Sequence, residues 1–253
     1  MDKIHIGTMG WSYNFWAGNF YPPETDASQY LTEYAKHFAS VEVDNTFYRI
    51  PSEATLKRWH DQTPSDFVFS LKFPRVITHV KMLKNCEQET SVFIKRVSSL
   101  EDKLGPLLLQ FPPGFGTAQF SLLESFLTNL PQKHRIAIEV RNKKLLNNDL
   151  YSLLNRKEAA LAWVEGQFIP LTDVITTDFL YVRWEGDRRK VNGLLGKVEI
   201  DKYSDIKKWA DRIGQLLDSS VEVFGYFSKY YSGHPPTDAK QQLRLLQNSS
   251  KNQ

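Results

Sequence analysis

The stretch Val41-Glu42-Val43-Asp44-Asn45-Thr46-Phe47-Tyr48 reads as a β-strand whose alternation decides the fold. Val41, Val43 and Phe47, with Phe38 just upstream, have the character of buried residues, whereas Glu42, Asp44 and Thr46 are polar. Alternation of this kind normally marks a strand with one wet face. Here the flanks are apolar, so the polar side points into the molecule.

Working outward, short strand-like runs alternate with helix-like segments along the whole chain. The strands fall at Ile4 to Met9, Ser40 to Phe47, Phe67 to Phe73, Leu107 to Phe111, Arg135 to Arg141, Ala159 to Glu165, Phe179 to Glu185 and Val221 to Phe227. Helical periodicity marks segments near 27–38, 53–61 with Ser52 as N-cap, 86–100, 118–130, 148–155, 205–217 and 237–247. Residues 167–177, which contain Pro170, show no helical period, so one crossover is degenerate. Strands separated by helices pair in parallel through right-handed crossovers, and eight such units close into a barrel. The expectation is therefore an α/β chain with one (β/α)8 TIM-type barrel over 1–247 and a disordered polar tail over 248–253. An open doubly wound sheet ranks second, because no Gly-rich phosphate fingerprint follows the first strand.

The composition agrees with this. A chain of 253 residues, 41% hydrophobic and 13% aromatic, fills one large core, and a net charge of +3 is too mild to imply nucleic acid by itself. Cys86 is the single cysteine, no apolar run reaches membrane-spanning length, and the N-terminus enters the first strand without a signal peptide. A cytoplasmic protein with no membrane partner is expected. The oligomeric state leaves no mark on the sequence.

In a barrel, alternate residues point inward and those at the carboxyl ends of strands line the active-site mouth. That rule selects Glu42, Asp44, Lys72, Gln110, Glu139, Arg141, Glu165, Arg183, Glu185, Tyr226 and Ser228. Glu42 and Glu139 are candidates for general acid and base, because carboxylates sharing a low-dielectric pocket acquire different pKa values. Arg141 and Arg183 are candidate clamps for a carboxylate or phosphate, Gln110 an orienting donor, and Asp44 a further ligand contact. Lys72 is an electrostatic stabiliser, with a Schiff base at a depressed pKa ranked well behind because a lysine among carboxylates tends to stay charged. Trp11 and Tyr13 would form a stacking wall, and Tyr48 and His79 complete the mouth. Arg75, Lys81, Lys84, Lys143, Lys144, Arg188-Arg189-Lys190 and Lys229 follow strand ends and make the mouth basic. Only His79 and His234 among the six histidines fall there, which disfavours zinc. No cofactor is expected, although Glu42, Asp44 and Glu139 leave a Mg or Mn site open.

The same residues carry a family likeness. Ile6-Gly7-Thr8-Met9-Gly10-Trp11-Ser12-Tyr13, Trp16-Ala17-Gly18-Asn19-Phe20-Tyr21-Pro22, Val41 to Arg49, Phe69-Ser70-Leu71-Lys72, Thr78-His79, Leu104-Gly105-Pro106, Leu109-Gln110-Phe111-Pro112-Pro113 and Glu139-Val140-Arg141 resemble the YecE-like family, domain of unknown function 72. The resemblance implies a TIM barrel and supplies no reaction. The family has been likened to endonuclease IV-type repair barrels, but this chain lacks the histidine-rich trinuclear zinc ligand set of such enzymes. It also departs from the family pattern at Arg141-Asn142, Arg183-Trp184-Glu185-Gly186 and Phe227-Ser228-Lys229, where histidines or asparagines are usual. Glu42, Lys72, Gln110, Glu139, Arg141 and Arg183 match it. Three readings follow: an enzyme acting on a small polar anion such as a sugar acid or phosphate, a nucleic-acid-binding or processing protein, and a non-catalytic ligand sensor.

Overall fold

The computed structural model describes residues 3–216 and 220–249. Within them run the strands β1 (Ile4–Thr8), β2 (Ser40–Val43), β3 (Val68–Lys72), β4 (Leu104–Gln110), β5 (Ile136–Glu139), β6 (Ala160–Leu161), β7 (Trp163–Glu165), β8 (Phe179–Trp184) and β9 (Glu222–Phe227). All pair in parallel, in the orders β2-β3-β4-β5-β6 and β1-β9-β8-β7. β6 and β7 are two halves of one stave interrupted at Ala162, whose N–H still donates to the Ile138 carbonyl. That stave joins the two sheets on one side.

On the other side β1 meets β2. Met9 bridges Glu42 in parallel, and the Gly10 N–H donates to the Glu42 carbonyl at 2.8 Å. Below that bridge, a side chain replaces the backbone ladder. The Tyr34 hydroxyl accepts from the Thr8 N–H and donates to the Ser40 carbonyl, both at 2.9 Å. The barrel thus closes through a phenol inserted at the seam. Gly7 is required beside it, since a Cβ there would lie 2.1 Å from the Ser40 carbonyl oxygen.

Seven helices wrap the strands: α1 (Tyr30–Ala35), α2 (Glu53–Asp61), α3 (Glu87–Val97), α4 (Phe120–Asn129), α5 (Asn148–Arg156), α6 (Tyr203–Gly214) and α7 (Pro235–Ser249), among the described residues. α2 starts where expected, with the Ser52 hydroxyl accepting from the Thr55 N–H. Asn147 caps α5 in the same way. No helix lies between β7 and β8, as the missing period at 167–177 implied. The helix expected near 27–38 is shorter, because 27–29 is a 3-10 turn and α1 begins at Tyr30. Of the tail expected over 248–253, Asn248 and Ser249 belong to α7, and 250–253 lie outside the described residues; so does Leu217, the expected end of α6.

Two apolar layers result. Outward-facing strand residues such as Val41, Val43, Phe69, Leu71, Leu107 and Leu109 pack against the helices. Inside the barrel Leu108, Ala137, Ala160, Ala162, Phe179, Tyr181, Phe224 and Tyr226 form a separate core. Small alanines on β5 to β7 face large rings on β8 and β9, which is how a filled barrel interior divides its volume. The Tyr226 hydroxyl crosses the lumen to Ser40 Oγ at 2.7 Å and Ser70 Oγ at 2.8 Å. Polar atoms thus begin at mid-height and continue to the top.

After β9, Ser232 Oγ donates to Asp238 in the first turn of α7. Burial pushes the Asp238 carboxyl up to about 7, against the lowering effects of Ser232 and Lys202.

Two outcomes are expected. Tyr34→Phe strands the Thr8 donor and the Ser40 acceptor at the seam and should cost about 1–3 kcal/mol in denaturant unfolding; a change below a few tenths would remove the seam role. A carboxyl raised on folding destabilises the folded state once it ionises. Wild-type stability should therefore fall relative to Asp238→Asn as pH rises from about 4 to 7, by roughly 4 kcal/mol at most. Melting both proteins across that range reads the difference directly.

Candidate functional site

A cavity of about 660 Å³ opens at the carboxyl ends of the strands. Its wall carries Lys72 from β3, Gln110 from β4 and Arg183 from β8. Asp44, Phe47, Tyr48, Arg75, His79, Arg141, Phe168, Glu185, Arg188, Arg189 and Tyr230 come from the segments that follow strands. The expected strand Ser40 to Phe47 ends at Val43, and 45–47 is a 3-10 turn. Asp44 accordingly turns up to the rim, while Thr46 is buried and donates to the Lys72 carbonyl at 2.6 Å.

Arg183 organises the base of the cavity. Its Nε and Nη2 form a fork with both oxygens of Glu42 at 2.9 Å, and its Nη1 donates to Glu139 and Glu185. Tyr181, two residues earlier and on the same face of β8, donates to Glu42 Oε2 at 2.8 Å. Arg141 closes a ring of alternating charge: its Nε donates to Glu139 at 2.9 Å and its Nη2 to Glu185 at 2.8 Å. Gln110 completes the set, donating to Glu139 at 2.9 Å and accepting from Lys72 Nζ at 2.6 Å.

The electrostatics follow from this pairing. Burial alone would raise the Glu139 carboxyl, but Arg183 and Arg141 overcome it and hold the group down to about 2. Burial and Glu42 push the Tyr181 phenol well up, so it stays a donor. Lys72 is pulled the other way. Burial, reinforced by Arg183, lowers its ammonium to about 8 despite Glu139, Glu42 and Glu185. The His79 imidazole is lowered to about 4 by burial and by Lys72, Arg141 and Arg75, and is neutral at pH 7. His79 sits on a single π-helical turn, 76–80, against Phe47, whose ring also lies 4.3 Å from Lys72 Nζ.

Several sequence assignments change. Glu42 and Glu139 are 0% and 1% exposed and do not reach the cavity wall. Both carboxylates are engaged within the protein, Glu139 by Arg183, Arg141 and Gln110 and Glu42 by Arg183 and Tyr181. Arg183 lines the cavity, yet each of its nitrogens donates within the protein, Nη2 also touching Met9 Sδ at 3.4 Å. Of the carboxylates named for Mg or Mn, Glu42 and Glu139 accept from arginines and Asp44 stands at the rim; among the described residues no group of three His, Cys, Asp or Glu could hold a metal ion.

Trp11 packs edge-on against Trp59 and Phe69 in the outer core, and Tyr13 donates to the Met9 carbonyl while lining a separate small hollow. Neither forms a wall of the main cavity. Glu165 points outward and accepts from Trp209 Nε1 and Tyr231. Lys72, Gln110, Asp44, Arg141, Tyr48 and His79 do come together there.

Tyr181 and Phe168 were missed. Tyr181 shares the inward parity of Arg183, so the alternation already marks it. Phe168, whose ring lies 4.5 Å from the Arg141 guanidinium, stands on the irregular crossover and has no periodicity to reveal it.

A parallel α/β barrel with a polar, ion-paired mouth is the class this geometry defines. Residues 5–253 match the family model described as "Protein of unknown function DUF72", and the chain belongs to that family. The UPF0759 protein YecE of Escherichia coli K12 is 35% identical over 139 residues, which are 55% of this chain and 48% of YecE; the matched segment spans about half of that relative's length. YunF of Bacillus subtilis is 24% identical over 96% of this chain and 94% of its own. A crystal structure of a DUF72 family protein from Thermotoga maritima superposes with TM-score 0.81 at 25% identity, covering 96% of this chain and 99% of that one. D-psicose 3-epimerase from Clostridium cellulolyticum shares the fold at TM-score 0.54 and 11% identity, over 98% of this chain and 97% of its own. Among the described residues, no helix is long and apolar enough to cross a membrane.

Replacing Arg183 by Met leaves the buried Glu42 without a cation and Glu139 with Arg141 alone, and should cost about 3–5 kcal/mol in chemical unfolding. Adding Glu42→Gln to that variant should recover part of the loss, and a double-mutant cycle with no coupling would remove Arg183 from the centre of the network.

Proposed function

We propose that the chain is an enzyme acting on a small molecule that carries a carboxylate or phosphate, held in the mouth cavity. The uneven pairing of its charges carries this reading. Arg141 and Arg183 take up the carboxylates at the base, whereas Arg75, Arg188 and Lys72 have no carboxylate oxygen within 4.0 Å among the described residues. Cations already paired offer little to a ligand, and cations left facing a cavity favour an anion. Arg75 and Arg188 then clamp the anionic group, and Arg141 keeps the floor of the cavity in place. Lys72 is the group that moves a proton, because it reaches the wall and loses its charge more easily than an ordinary lysine, and His79 adds a neutral imidazole to the same wall. Glu42, Glu139 and Arg183 act as positioning residues.

The rim supports a second reading. Tyr48 is 82% exposed and Phe168 45% exposed beside Arg188 and Arg189, a pairing of rings and cations that suits single-stranded nucleic acid.

A thermal-shift screen at low salt against phosphorylated metabolites, sugar acids and short oligonucleotides separates the two. A small anion at about a hundred times its Kd adds about 2.7 kcal/mol and should raise the midpoint by roughly 5–10 °C, and the shift should vanish in Arg75→Ala/Arg188→Ala. Stabilisation by oligonucleotides alone, weakening steeply with salt, would transfer the proposal to the second reading.

A further inference from the structure

We infer that Lys72 is a covalent site, forming an imine with the carbonyl carbon of an aldehyde or ketone that also carries a carboxylate or phosphate. The inference rests on the reading of the cavity as an anion site and goes beyond it by assigning a bond.

The geometry singles out this amine. Lys72 stands at the end of β3, 9% exposed, and lines the cavity. Its one hydrogen-bond partner among the described residues is Gln110 Oε1, a neutral acceptor, and no carboxylate lies within 4.0 Å of Nζ. Glu42, Glu139 and Glu185 are close enough to be felt, but their oxygens are engaged by Arg183, Arg141 and Tyr181. A lysine locked into an ion pair keeps its proton. This one is held by an amide that tolerates either protonation state.

The groups facing it are Arg183 on β8, which disfavours the ammonium, Glu139 on β5, Glu42 on β2 and Glu185 after β8, which favour it, and the neutral His79 after β3. Phe47 lies against both Lys72 and His79 and supplies an apolar side to the pair. With the ammonium lowered to about 8, the free amine at neutral pH is roughly a few hundredfold more abundant than at an ordinary lysine.

The chemistry balances without an external reagent. The neutral amine attacks the carbonyl carbon, forming a C–N bond, and a proton passes from that nitrogen to the carbonyl oxygen to give a carbinolamine. The C–O bond then breaks, water leaves with a second proton, and the nitrogen lone pair completes the C=N bond. Protonated amine and carbonyl thus yield a protonated imine and water. His79 is neutral and lies on the same wall, and the cationic imine acidifies the adjacent C–H. Arg75 and Arg188 hold the anionic end of the molecule.

The test uses the intact protein with glyoxylate and, separately, glyceraldehyde 3-phosphate, each with cyanoborohydride, followed by peptide mass spectrometry. Reduction converts the imine into a stable secondary amine. The expected result is label at Lys72 in large excess over the exposed Lys57, rising with pH towards 8 and competed by inorganic phosphate. Label at Lys72 no greater than at Lys57 would overturn the inference, and mapping on the wild-type protein makes this independent of how Lys72→Met folds. If phosphate raises the melting midpoint while Lys72 stays unlabelled, the covalent step fails and the anion site stands. If Lys72 is labelled selectively but phosphate neither competes nor stabilises, the imine stands and the anion site fails. The two probes distinguish a carboxylate from a phosphate on the ligand.

Discussion

The fork between Arg183 and Glu42 is the interaction on which the mouth depends. Both residues are almost wholly removed from water, at 3% and 0% exposure, so each charge would be very costly alone. Two parallel hydrogen bonds at 2.9 Å, with Tyr181 on the same carboxylate, satisfy that cost internally. Because Glu42 is on β2 and Arg183 on β8, the fork also spans the barrel across the seam where β1 meets β2. One ion pair therefore fixes the floor of the cavity and ties together the two sheets. Its energetic gain over a well-packed apolar pair is small, as for buried ion pairs generally. Its effect is to set which polar groups remain available above it.

That selection runs outward through the network. Arg183 reaches past Glu42 to Glu139 and Glu185, and Arg141 takes the other side of both. With three carboxylates shared between two guanidinium groups, Lys72 supplies the sixth charge, yet it bonds to Gln110 rather than to an acid. The lysine is thus the member of the cluster whose proton is least firmly held. The same pairing that occupies the glutamates leaves the amine without a carboxylate partner.

The sequence carried the barrel because the period of each element survives in one chain: alternation in β2 and β8, helical spacing in α4, and the broken period at 167–177 where no helix forms. Its boundary errors have physical causes. The fourth strand begins at Leu104 rather than Leu107, because Gly105 and Pro106 read as breakers while Gly105 lies where the pairing with β3 shifts register and a Cβ would meet Val68 at 2.4 Å. At the site, inward parity gave Glu42, Lys72, Gln110, Glu139 and Arg183 correctly as neighbours. It failed at Glu165, which its own alternation with Val164 turns towards Trp209. Trp11 packs on the outer core and lines the small hollow with Tyr13 and Asp44 rather than the main cavity, because an aromatic just past a strand end can cover a ligand or cover the core, and its sequence position is the same in both cases.

Roles were less legible than positions for a deeper reason. Two carboxylates and two arginines at strand ends are the parts of an acid/base pair with anion clamps, and equally the parts of a closed ring of ion pairs. What separates the outcomes is which oxygen faces which nitrogen, a matter of ångströms that no pattern along the chain encodes. The surplus of positive charge after the strand ends is different in kind. It does not depend on pairing geometry to be seen, since Arg75 and Arg188 were visible as basic residues of the mouth before their partners were known. Once the inner arginines are committed to glutamates, Arg75, Arg188 and Lys72 are the cations left over at the cavity wall, set against the carboxylate of Asp44.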